Sequence, residues 1–305
     1  MARACEVASA AAYLRGARVG MVGYRDMKLH STLVDGVSLR RIVGPEIEVV
    51  DTLDIFQRME RVDAAAIAVV DAEVRSAWRF DREPSPELLA RSIRLYLAVM
   101  EKVRERSFGA VSIIDVDGIK RLMGFTPAGA MMLLADRGGV ATIPENDGLG
   151  AVTQLMVRAL TGQVAAYFEF FEFMKDRILC GVPDYIPAEV ADGGVQVKLA
   201  RFGELSEGVL NVSKARAGRV TLCRLGSVGD RYRLHIATGE AVTPQPWEEA
   251  GWEQPAPQLP SLEVILDTPV KEFAGKVLGQ HYIVAYGDQR DRLEGLCALL
   301  GIEVI

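Results

Sequence analysis

The chain has 305 residues, 35 basic against 41 acidic for a net charge of -6, and half of them are apolar. That length allows two domains of ordinary size, and a balanced charge without a basic block argues against a nucleic-acid-binding surface. The four cysteines, at positions 5, 180, 223 and 297, make neither a CxxC pair nor a disulfide framework, which points to a reduced, cytoplasmic setting. The stretch "VASAAAYLRGARVGMVG", interrupted by Arg15 and Arg18, is too weakly apolar for a membrane span or a signal peptide.

In chain order, residues 5–15 suit an Ala-rich helix and residues 18–23 a buried strand. A polar turn leads to a helix over 31–43 and a second strand at 47–51. Residues 52–62 open on a threonine and carry apolar residues at helical spacing, so they read as a helix. The turn at Pro84 and Pro86 introduces a long helix ending near Arg106. "FGAVSIID" gives a third strand, residues 127–137 a helix opened by proline, "GVATI" a fourth strand, and residues 150–162 a helix stopped by Gly162. Alternating strands and helices call for a Rossmann-like α/β unit with a mostly parallel sheet covered on both faces.

After Pro183 the texture changes. "GGVQVKLA", "GRVTLCRLG", "DRYRLHIATGEAV", "SLEVILD" and "HYIVAYG" are short, glycine-bounded and rich in β-branched or aromatic residues, which predicts a mainly antiparallel β-barrel-like unit. A helix at 288–300 and a terminal strand "IEVI" close the chain. The expected division is 1–162 and 163–305. The Pro-rich loop at 243–260 carries Trp247 and Trp252 and is either a surface excursion or a flap over a site.

The familiar motifs fail. "GMVGYRD" supplies Gly20 and Gly23 but no third glycine before Tyr24, Arg25 and Asp26, so the dinucleotide fingerprint is broken and no nucleotide cofactor is expected. There is no phosphate loop, no HExxH helix and no G-x-S-x-G elbow. His30, His235 and His281 are the only histidines, enough for a site of one imidazole with oxygen ligands. His235, inside "YRLHIAT", reads as a packing or hydrogen-bonding residue, and His30 as a surface residue or an anion or polyol contact. His281 would project from the mouth of its strand. Glu145 follows the fourth strand in "ATIPENDGLG" and is either a solvent-facing turn residue or a carboxylate presented from a strand end. Asp147 suits the cap of the following helix. Glu169 and Glu172 interrupt the apolar run "VAAYFEFFEFMKD"; buried, each needs a partner or a metal, unless the run is amphipathic and both face water.

Three of these segments together resemble the L-fucose isomerase and L-arabinose isomerase family, specifically its second and C-terminal domains. They are "GGVATIPENDGLGAVTQLMVRALTGQVAAYFEF", "LCGVP" and "GQHYIVAYGDQRDRLEGLCALLGIEVI". The resemblance implies a Mn²⁺ site ligated by Glu145, Glu169 and His281, with Glu145 and Glu169 also transferring protons during aldose–ketose isomerisation of an open-chain sugar through an enediolate. Glutamate at 169 stands where fucose isomerases usually have aspartate. Leu179 stands where related enzymes place a histidine, so a polar contact is lost there. The resemblance begins at the family's second domain, which implies a chain without the family's usual N-terminal domain. The resemblance therefore implies a homo-oligomer, trimer or hexamer, that is either an isomerase, with or without a separate N-terminal-domain partner, or a noncatalytic carbohydrate-binding or regulatory relative.

Overall fold

The computed structural model describes residues 2–181, 185–201, 207–247 and 260–305. Its first half runs α1 (Ala2–Gly16), β1 (Arg18–Val22), α2 (Gly36–Ile42), β2 (Glu46–Val50), α3 (Thr52–Glu60), α4 (Ala64–Ala77), β3 (Arg79–Phe80), α5 (Pro86–Arg106) and β4 (Ala110–Ile113). A π-helix (Asp115–Met123), α6 (Ala128–Asp136), β5 (Ala141–Pro144) and α7 (Gly148–Thr161) complete it. Strands β2-β1-β4-β5 form a four-stranded, all-parallel sheet.

The second half runs β6 (Ala166–Phe173), β7 (Ile178–Gly181), β8 (Gln196–Arg201), β9 (Glu207–Asn211), β10 (Gly218–Val228), β11 (Arg231–Val242) and β12 (Leu262–Leu266). It ends with α8 (Val270–Ala274), β13 (His281–Tyr286), α9 (Arg290–Leu300) and β14 (Glu303–Val304). Six antiparallel strands in the order β10-β13-β6-β7-β12-β11 close into a barrel through β10–β11 pairing, and β14 adds in parallel to β11. Helix α9 packs back on α1 and α7. The α/β unit followed by an antiparallel barrel with a closing helix is the architecture expected from the sequence.

Several local expectations change. The helix expected over 31–43 starts only at Gly36, because Asp35 caps it by accepting from the N–H groups of Val37 (3.0 Å) and Ser38 (3.4 Å). "GGVQVKLA" does not join the barrel. Its strand β8 pairs in parallel with β3 and antiparallel with β9, forming a separate three-stranded sheet. Helix α4, capped by Asp63, the π-helix and α8 are additional elements. Glu169 lies in a strand, and Glu172 faces solvent beyond a bulge in the β6–β7 ladder.

Helix α7 sets the geometry of the interior. Residues Gly148 to Val157 are all buried, as expected of a helix enclosed between layers; α7 touches β1, β4 and β5 of the parallel sheet and β6, β10 and β13 of the barrel. Its polar side chains tie the layers together. Gln154 Nε2 donates to the carbonyls of Thr142 and Ala165, each at 3.0 Å, and Thr153 Oγ1 accepts from the Leu225 N–H at 3.0 Å. Gly162, with φ +71°, ends the helix in a left-handed cap.

In doubly wound sheets ligands bind where the strand order reverses, here between β1 and β4. Asp26 occupies that crevice, accepting from the N–H groups of Val116 (2.8 Å) and Asp117 (2.7 Å) at the start of the π-helix. Those donors are thus satisfied by the protein's own carboxylate. Burial, the neighbouring Asp115 charge and a hydrogen bond to Asp115 push Asp26 up to about 6.

Candidate metal centre

Glu145 and Asn146 follow β5 in left-handed backbone conformations, φ +61° and +51°. For a long side chain such as Glu145 this costs on the order of 1 kcal/mol or more, so the turn needs external support. Its supports include the hydrogen bonds Glu145 N–H to Asp115 Oδ1 (3.0 Å), Asn146 Nδ2 to the Val22 carbonyl (3.1 Å) and Asp147 N–H to Ser112 Oγ (3.0 Å). The chain reverses sharply, and Asp147 begins α7 by accepting from the Gly150 N–H at 2.8 Å.

The barrel supplies the other two groups. His281 opens β13 directly opposite Glu169 on β6, and cross-strand partners share a face of a sheet. His281 Nε2 lies 3.3 Å from Glu169 Oε1 and 3.6 Å from Glu145 Oε2. One ligand atom from each of Glu145, Glu169 and His281 falls within 4.8 Å of the other two. All three candidate residues come together, and Glu145 is a buried carboxylate presented from a strand end.

Behind His281 stands a second layer. His281 Nδ1 is 2.7 Å from Asp147 Oδ2, and Arg224 of β10 grips the same carboxylate twice, Nη1 to Oδ2 at 2.5 Å and Nη2 to Oδ1 at 2.8 Å. Arg224, Asp147 and His281 are fully buried. The expected capping role of Asp147 is therefore real but incomplete, since the same carboxylate also fixes the His281 ring. Burial alone would raise Asp147, but the Arg224 charge and the His281 hydrogen bond outweigh it and hold the carboxyl well below its ordinary range. Burial pulls His281 down, but hydrogen bonds to Asp147 and Glu169, with their charges, outweigh it and push the imidazole up to about 10.

The donor set fits a divalent ion. Ligands bonded to one ion at about 2.1 Å in adjacent positions sit about 3 Å apart, close to the separations of His281 Nε2 from the two glutamates. Oε1 of Glu169 is buried and faces His281 Nε2 at 3.3 Å without well-formed hydrogen-bond geometry, an arrangement that leaves an acceptor incompletely satisfied. Counting the carboxylates as ionised, Glu145, Asp147, Glu169, Arg224 and protonated His281 carry one net negative charge. A divalent cation in place of the His281 Nε2 proton brings these five groups to neutrality.

Three residues of this arrangement escaped sequence reasoning. Gln280 donates through Nε2 to Glu145 Oε2 and lies 3.3 Å from His281 Nε2; its only signal is adjacency to His281. Arg224 announces itself more clearly, as a charge inside the apolar strand "VTLCRLG". Asp115, at the end of "SIID", lies just past β4 at the same end of the parallel sheet where Glu145 follows β5.

The other histidines lie outside the cluster. His235 Nδ1 is 2.6 Å from the Tyr282 hydroxyl, and burial, with the Lys276 and Arg290 charges, pulls it down to about 4, which bears out the packing role. His30 Nε2 is 3.5 Å from Arg25 Nη1 at the surface. Leu179 is buried in the ladder opposite Glu172 and Glu263. Trp247 donates its indole N–H to the buried Glu263 at 2.7 Å, while residues 248–259, Trp252 included, lie outside the described residues. No helix among the described residues is long and apolar enough to cross a membrane. The chain matches no protein-family model, and no curated protein is similar to it in sequence. The structure thus establishes a buried Glu145, Glu169 and His281 group that could hold a metal ion.

Proposed function

We propose that the protein is a Mn²⁺-dependent aldose–ketose isomerase of the L-fucose and L-arabinose isomerase kind, with Glu145, Glu169 and His281 as metal ligands. The observation that carries this reading is the convergence of these three residues, distant in sequence and singled out by the resemblance, in one buried cluster. Two carboxylates and one imidazole suit Mn²⁺, a hard ion that still accepts nitrogen. When bound, the ion supplies Lewis acidity at the sugar's carbonyl and adjacent hydroxyl oxygens.

The protein's own groups do the rest. One glutamate takes the proton from C2 of the open-chain aldose and returns it to C1, and the other carries a proton between O2 and O1. The electron pair of the broken C2–H bond passes through the enediolate to the new C1–H bond, so the exchange is internal and needs no external oxidant. Asp147, held by Arg224, keeps the His281 ring oriented with Nε2 toward the glutamates. The Gln280 amide, beside both Glu145 and His281, is placed to donate to a sugar oxygen. A homo-oligomer belongs to the same reading.

The test is a metal-stripped preparation assayed with and without Mn²⁺ against L-fucose, L-arabinose and related aldoses. Metal-dependent ketose formation, lost in Glu145→Gln, Glu169→Gln and His281→Gln, is expected. Sugar binding without conversion would transfer the assignment to a noncatalytic carbohydrate-binding relative. Conversion that survives the triple substitution would sink the site assignment.

A further inference from the structure

Glu145 does not hold its left-handed backbone unaided. Its N–H donates to Asp115 Oδ1 at 3.0 Å, and the second oxygen of that carboxylate accepts from Lys120 Nζ at 2.9 Å. Asp115 and Lys120 lie on the π-helix after β4 and are each 1% exposed. Asp26, from the loop after β1, hydrogen-bonds Asp115 and also accepts from the first N–H groups of that helix. The ends of β1, β4 and β5 are therefore tied together behind the glutamate, with its backbone N–H as one of the tied groups. A buried lysine that donates to a neighbouring carboxylate leaves that carboxylate little freedom to turn, and so fixes the acceptor that the Glu145 N–H meets.

We infer that Asp115 is the positioning residue of Glu145: its carboxylate, fixed by Lys120, holds the left-handed turn that aims the Glu145 side chain at His281 and Glu169. The inference rests on the metal-centre reading and adds the residue on which its geometry depends. In a left-handed residue the side chain leaves the backbone in a direction that neither helical nor extended φ reproduces. If the Glu145 N–H loses its acceptor, the turn relaxes to negative φ and the carboxylate swings away from His281. A purely structural ion pair stapling the π-helix would require the charges of Asp115 and Lys120. Positioning requires only an acceptor oxygen at residue 115.

Two double variants separate these roles. Asp115→Asn with Lys120→Met keeps an acceptor oxygen without the ion pair, and Asp115→Leu with Lys120→Met removes both. Two readouts are taken: Mn²⁺ affinity of the stripped protein, and amide hydrogen exchange of Glu145 in the metal-free protein. Loss of a supporting contact behind a ligand weakens metal binding by about 10–100-fold, and that is expected for the leucine variant, with the asparagine variant within about threefold of the parent. Glu145 exchange should speed up by about tenfold or more in the leucine variant alone. Equal weakening of Mn²⁺ binding in both variants, or unchanged Glu145 exchange in the leucine variant, would overturn the inference. A parent protein that binds no Mn²⁺ would overturn the metal-centre reading, and the exchange comparison would then decide the role of Asp115 without it.

Discussion

Asp147→Asn tests the layer behind the candidate ligands, because asparagine keeps the shape and one acceptor while deleting the charge. In the parent, Asp147 meets Arg224 through two hydrogen bonds of 2.5 and 2.8 Å and His281 Nδ1 at 2.7 Å. Removing one partner of a fully buried pair costs about 3–5 kcal/mol, because the other charge stays buried and uncompensated. The helix cap does not enter that figure, since asparagine caps as well as aspartate. For a chain of this size about 1 kcal/mol corresponds to about 2 °C, so the metal-free variant should melt about 6–10 °C lower. Urea denaturation of Asp147→Asn, Arg224→Met and the double variant completes a cycle. The coupling should exceed about 1.5 kcal/mol, because the double variant leaves Arg224's charge out of the interior. A loss below about 1 kcal/mol for Asp147→Asn, or single effects that simply add, would refute the claim that this carboxylate is held between two buried cations.

His281, raised to about 10 from its ordinary 6.5, contributes stability to the metal-free protein that is fully present below pH 6.5 and lost as pH rises through about 10. Urea midpoints of the stripped protein should therefore fall over that window, and His281→Gln should flatten the fall. Because His281 must release its Nε2 proton to ligate, Mn²⁺ loading near about pH 8 should expel roughly one proton; calorimetry in buffers of different ionisation enthalpy measures it, and no release would contradict ligation by His281. Gly150→Ala places a Cβ 2.5 Å from Ile143 Cδ1, 2.6 Å from Arg224 Nη1 and 2.7 Å from Asp147 Oδ2. The crowding should cost about 1–3 kcal/mol despite alanine's helix advantage of about 1 kcal/mol, so a more stable alanine variant would contradict the packing described.

The parallel sheet, the barrel and their order were legible because hydrophobic period and turn chemistry write them locally: Thr52 at the start of α3, Pro86 at the start of α5 and Gly162 after α7 mark boundaries at the residues themselves. Strand β8 was misplaced because its partner is the two-residue strand β3 in the first half of the chain, and nothing local to "GGVQVKLA" announces a distant pairing. Glu145, Glu169 and His281 were found through the resemblance of their surrounding segments; Asp115 and Arg224 were not, because a buried ion pair is a relation between two remote positions. Asp115 finds Lys120 and the Glu145 N–H, and Arg224 finds Asp147, only after folding. Glu169 and Glu172 show the same limit. The apolar run that contains them left both orientations open, and only the ladder with β13 sets Glu169 against His281 while Glu172 faces solvent.

Whether Glu145, Glu169 and His281 hold a catalytic divalent ion is tested most directly by Mn²⁺ titration of the stripped protein, followed by the loss of the free-ion paramagnetic resonance signal. Saturable binding of one Mn²⁺ per chain is expected, abolished by Glu145→Gln, Glu169→Gln and His281→Gln in separate folded variants. Undiminished Mn²⁺ binding in all three variants, or none by the parent protein, would contradict it.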